Sequence, residues 1–133
     1  MIFLFLSNPV IYIIVFPHTT SILKSHMLHV AFSLIKPDKE QRLLAWLTEL
    51  KSRAPEVRAT FENEGVRHEQ AFILQSARGP LLVYAIEVED MDAAMTAHLA
   101  SKMGIDLQHR AAMDECLLER LRIPPLYECS LSQ

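Results

Sequence analysis

The chain has 133 residues, half of them apolar and 22% charged, with a formal net charge of −3. That is the size and composition of one globular domain, and it excludes an intrinsically disordered chain. Basic residues are scattered among acidic ones, without a stripe or aromatic interleaving, which argues against a nucleic-acid partner.

The first twenty-six residues stand apart. They hold one basic side chain, Lys24, and no acidic one, in a run (MIFLFLSNPVIYIIVFPH) that Pro17 closes. As a transmembrane helix the run falls short of the roughly 18–20 apolar residues needed, and Pro9 interrupts it. As a secretory signal it lacks a basic start and a small-residue cleavage site. A third reading takes Met27 as the true initiator, which makes residues 1–26 an extension from a misplaced start. We read 1–26 as an apolar extension, from a misassigned start or serving as signal or anchor, and 27–133 as the single domain. The expected location is cytoplasmic, or membrane-associated or exported if the extension is kept.

Leu28 to Ile35 reads as a strand stopped by Lys36-Pro37. Asp38 and Gln41 form a capping-box pair for the helix that follows. Its apolar seam of Leu43, Leu47, Leu50, Ala54, Val57 and Phe61 runs in steps of three and four, which predicts one long helix kinked at Pro55 and ended by Gly65. Val66–Ser76 and Leu81–Glu89 read as strands joined by a turn at Ala77-Arg78-Gly79-Pro80. Asp90 caps a helix to about Lys102, closed by Gly104. Asp106 caps another to about Leu121, and Pro124-Pro125 precedes a closing edge strand at Leu126–Leu131. The order is β-α-β-β-α-β with an extra helix before the last strand, an α+β fold of ferredoxin-like type.

In the strands LHVAFSLI and LLVYAIEV both alternating sets are largely apolar, so both sheet faces need cover. Two helices cover one face. A second copy of the same sheet is the economical cover for the other, which predicts a homodimer.

Four stretches carry a family resemblance: FSLIKPDKEQ at 32–41, EGVRHEQAF at 64–72, LVYAIEVED at 82–90 and IDLQHRAAMDECL at 105–117. They resemble a bacterial domain-of-unknown-function family of about a hundred residues, over residues 27–121. The resemblance implies a dimeric α/β barrel, in which two ferredoxin-like subunits stack sheet to sheet. Proteins of that fold include cofactor-free monooxygenases, lactone isomerases, sugar mutarotases, haem enzymes and ligand sensors, so the fold selects no function. A more distant likeness to the mutarotases fails at the first helix, where 38–64 has neither the histidine nor the tyrosine of those enzymes.

The candidate site residues are Glu69, Tyr84, His109 and Asp106. His109 follows the cap Asp106 by one helical turn and could shuttle a proton or hold a ligand; equally, it could complete the cap or pack on the sheet edge. Glu69 shares a strand face with Ala71 and Ile73, so an inward Glu69 needs a partner. Tyr84 lies on the face of Leu82, Ile86 and Val88, where its hydroxyl needs a structural or ligand partner. Trp46 reads as core. His68 falls on the face opposite Glu69.

No histidine pair has metal-ligand spacing, and His98 and His109 are separated by a helix break, so no metal is expected. Nucleotide, serine-hydrolase and metalloprotease motifs are absent and no cofactor is expected. Cys116 and Cys129 read as two reduced thiols, with a Cys116–Cys129 disulfide as the alternative if the chain is exported. Two functional readings follow: a small-molecule-binding protein, extending to a cofactor-independent enzyme, or a dimeric structural or interaction module without chemistry. The first requires a cavity with converging polar groups, the second a packed interior.

Overall fold

A computed structural model of the chain describes residues 26–129 and 131. The reading of the N-terminal extension therefore lies outside the described residues, apart from His26. The elements are β1 (Met27–Ile35), α1 (Glu40–Ser52), α2 (Ala54–Glu64), β2 (Val66–Ser76), β3 (Gly79–Val88), α3 (Met91–Ala100), α4 (Gly104–Cys116) and β4 (Leu117–Arg122). The strands form one sheet in the order β2-β3-β1-β4, with every neighbouring pair antiparallel. The fold is thus α+β and ferredoxin-like, with the helices layered on one sheet face.

The predicted kink in the first helix is a full break. Arg53 leaves helical geometry at φ −108° and ψ 30°, and α2 restarts with Pro55 in its first turn, where a missing N–H costs nothing. Gly65 ends α2 in the left-handed region at φ 71°, its N–H bonded to the Phe61 carbonyl. Asp90 caps α3 as expected, its Oδ1 accepting from the Asp92 and Ala93 amides at 3.0 Å.

Three expectations fail. The Asp38 capping box does not form: Asp38 sits in a turn at φ 61°, and the α1 cap is Lys39, without a side-chain bond. Ion pairs from Lys39 and Arg42 to Glu115 anchor that end instead. Gly104 opens α4 rather than closing α3, and Asp106 lies inside the first turn of α4.

The third failure is the closing strand, which is Leu117–Arg122 and not Leu126–Leu131; no strand covers residues 126–129. The open edge of β1 would otherwise leave a row of unpaired backbone groups, and pairing Ile35 with Leu117 and Phe32 with Leu121 satisfies them. That gain outweighs the helical pattern running on from α4.

The core lies between sheet and helices. Ala31, Ile35, Leu82, Tyr84, Ile86 and Val88 are buried beneath Leu43, Met91 and Ala94, with Cys116 among them. The opposite sheet face is apolar and open. Phe72 and Leu74 on β2 and Leu121 on β4 are each about half exposed, around the paired Phe32 and Val83 at the centre. Both cysteines are free, Cys116 buried and Cys129 exposed. Among the described residues, no helix is long and apolar enough to cross a membrane.

Candidate functional site

Strand register sets the floor of the site. Tyr84 on β3 stands opposite Ala71, and Glu69 stands opposite Ile86, so Glu69 and Tyr84 share the helix-facing side. Arg120 on β4 pairs with buried Ser33 on the same side, and its guanidinium carbon lies 5.5 Å from the centre of the Tyr84 ring. The helices supply the roof. His109 on α4 packs edge-on against Tyr84 and against His98 from the end of α3, with ring centres 6.2 and 5.8 Å apart. Between floor and roof lies a cavity of about 80 Å³, lined among others by Glu64, Glu69, Tyr84, His98, His109 and Arg120. An open groove of about 400 Å³ along Leu47, Leu50, Val57 and Phe61 also reaches Glu69 and Tyr84.

The hydrogen bonds fix protonation. Trp46 Nε1 donates to His109 Nδ1 at 3.0 Å. An indole N–H only donates, so Nδ1 is the bare nitrogen and the His109 proton resides on Nε2. Burial, with the His98, Arg120 and Arg110 charges adding to it, pulls the His109 pKa down to about 4. His109 is therefore a neutral N–H donor at physiological pH. Burial pushes the Glu69 carboxyl up to about 7, the Glu64 charge helps, and Arg120 and His98 pull it partly back. Burial, with Glu69 adding to it, raises the Tyr84 phenol well above its ordinary value, so Tyr84 keeps its proton. Its hydroxyl is buried and has no hydrogen-bond partner, alone in this among the buried side-chain polar atoms of the described residues.

At the far wall, the ends of three helices converge. His98 Nδ1 lies 2.7 Å from Glu64 Oε1 at the close of α2. Asp106 is buried and accepts a hydrogen bond from Ser101 Oγ. Arg110 donates to the main-chain oxygens of His98 and Ser101 and ties α3 to α4. Donor atoms of Glu64, His98 and Asp106 all lie within 4.8 Å of one another, close enough among the described residues to hold a metal ion.

The sequence pattern described as Family of unknown function (DUF6176) matches residues 30–129. The chain belongs to that family. No curated protein matches it in sequence. Among solved structures, this DUF6176 chain is similar to Rv0793 from Mycobacterium tuberculosis, with 23% identity and a TM-score of 0.47 over 80% of this chain and 100% of that one. It is also similar to a protein from Bacteroides thetaiotaomicron, provisionally named an antibiotic biosynthesis monooxygenase, with 18% identity and a TM-score of 0.49 over 83% of this chain and 98% of that one. A protein of the same provisional name from Nitrosomonas europaea has 17% identity and a TM-score of 0.45, over 77% and 92%.

Of the four candidates read from sequence, Glu69, Tyr84 and His109 surround one cavity, and Asp106 reaches its far wall. His109 makes no cap with Asp106; it accepts from Trp46, a residue that reads only as core. Sequence reasoning misses Glu64, His98 and Arg120. Arg120 is hidden because its strand reads as helix, where alternation gives no inward direction. His98 and Glu64 share no local motif, and only the packing of α2 against α3 joins them. His68 is exposed on the open sheet face, opposite Glu87.

Proposed function

We propose that the chain binds a small organic molecule with one polar end and an apolar body, as a homodimer of the dimeric α/β-barrel type. The observation that carries the binding half is the Tyr84 hydroxyl, buried without a partner at a cavity it shares with the Nε2–H of His109 and the carboxyl of Glu69. Leaving such a group unpaired costs roughly 1–3 kcal/mol, which a ligand acceptor would offset. A module whose polar residues merely satisfy one another would leave no such orphan. The apolar body would lie along Leu47, Leu50 and Val57 in the open groove. Glu69, titrating near 7, is poised to exchange a proton with the bound molecule at neutral pH. That supports reading the chain as an enzyme that moves a proton without an organic cofactor.

The dimer half rests on the open sheet face. Phe32, Phe72, Leu74, Val83 and Leu121 form an apolar surface of the kind that a second copy covers.

Nuclear magnetic resonance titrations with phenol and with benzoate test the site. Binding at this site should give saturable shifts of the Tyr84 and His109 ring signals that Glu69→Gln alters. Shifts confined to surface residues with both probes would count against it.

A further inference from the structure

The far wall of the cavity points to a second site. Glu64 closes α2, His98 lies in the last turn of α3 and Asp106 in the first turn of α4. Three separate helices thus deliver two carboxylates and one imidazole to one point, with donor atoms all within 4.8 Å of one another. The groups are well enclosed: the side chains of Glu64 and His98 are 11% and 19% exposed, and Asp106 is 3% exposed. Glu64 Oε1 lies 2.7 Å from His98 Nδ1, a contact that an ion coordinated by both would replace, and Asp106 brings a second carboxylate to the same point. Arg110 stands beside them yet spends its hydrogen bonds on the main-chain oxygens of His98 and Ser101.

The surroundings also suit an ion. Ser101 holds Oδ2 of Asp106, the kind of supporting contact that orients a metal ligand and leaves its other oxygen to bind. The adjoining cavity of about 80 Å³ has room for an ion's remaining waters, at roughly 10–15 Å³ for each. The buried, unpartnered Tyr84 hydroxyl lines that same cavity and is available to such a water.

We propose that Glu64, His98 and Asp106 bind a first-row divalent cation of the Zn²⁺ or Mn²⁺ class, with water completing its coordination from the cavity. Two carboxylate oxygens and one imidazole nitrogen suit that class. Mg²⁺ and Ca²⁺ favour all-oxygen sets, and Cu⁺ favours sulfur. The ion ties the ends of α2, α3 and α4 together and balances the paired carboxylates. The site shares the cavity and the Tyr84 hydroxyl with the organic ligand proposed above, but its three ligating residues are not the Glu69, Tyr84 and His109 on which that ligand reading rests.

The test is calorimetric titration of the metal-stripped full-length protein with Zn²⁺ and Mn²⁺, with Mg²⁺ as comparison. We expect one equivalent of Zn²⁺ per chain, tighter than Mn²⁺ and far tighter than Mg²⁺. Glu64→Gln and His98→Gln should each weaken Zn²⁺ binding at least about tenfold, while Glu69→Gln, which removes no ligating atom, should shift it far less. Should a variant fail to fold, paramagnetic broadening by Mn²⁺ in the unaltered protein decides: early loss of the His98 ring signals supports the site. Broadening elsewhere, absence of stoichiometric Zn²⁺ binding, or unchanged affinity in folded His98→Gln would overturn it. Phenol binding retained in His98→Gln would show the two sites to be separable.

Discussion

Glu69 and His109 are held away from their ordinary titration ranges in opposite directions, and their effects on stability oppose each other. The folded pKa of Glu69, about 7, lies above its ordinary 4.5, so the folded chain holds the extra proton between those values. Its contribution is fully present below pH 4.5 and is lost as pH rises towards 7. The folded pKa of His109, about 4, lies below 6.5, so there the unfolded chain takes the proton and stability rises with pH through that window. Glu69→Gln separates the two. Relative to the parent chain it should gain about 2–3 kcal/mol on going from pH 4.5 to pH 8, read by urea denaturation at both pH values. A constant difference would mean that Glu69 is solvated. Strand alternation makes the inward Glu69 and Tyr84 legible in the sequence. The Trp46–His109 bond is not legible there, because it joins positions 63 residues apart that only the packing of α1 on α4 brings together.

At the scale of elements, local signals locate β1, β2, β3 and the Asp90 cap, because apolar runs and turn residues fix them without reference to distant chain. They fail where a long-range demand decides. Leu117–Arg122 follows a helix without a glycine or proline between, and only the unpaired edge of β1 makes it a strand. Pro124-Pro125 has the look of a stop for that helix, whereas it follows β4. The two placements of the last strand differ in an experiment. Truncation after Ile123 removes the strand that the sequence pattern predicts at 126–131 and leaves every observed element whole. It should change stability by less than about 0.5 kcal/mol, whereas a truncation that removes β4 should abolish cooperative unfolding in thermal melts.

At the scale of the molecule, the sheet has two apolar faces and a single layer of helices, a feature that the alternating sets of β1 and β3 display in the sequence alone. The central outer position is Val83, flanked by Phe32 and Phe72. Sedimentation of the parent chain at micromolar concentration should give about twice the monomer mass, and Val83→Glu should give the monomer with helices and sheet intact. A monomeric parent chain would remove the case for a barrel. The Tyr84 hydroxyl is buried unpaired and Glu69 is desolvated, both at the expense of stability, as the proposed ligand site would require. The most direct measurement is the unfolding free energy of Tyr84→Phe without added ligand. The variant should be as stable as the parent, or more stable by about 1–2 kcal/mol, because an unsatisfied hydroxyl has been removed. A loss of about 1–3 kcal/mol would show instead that the hydroxyl makes a structural hydrogen bond and is not held free for a ligand.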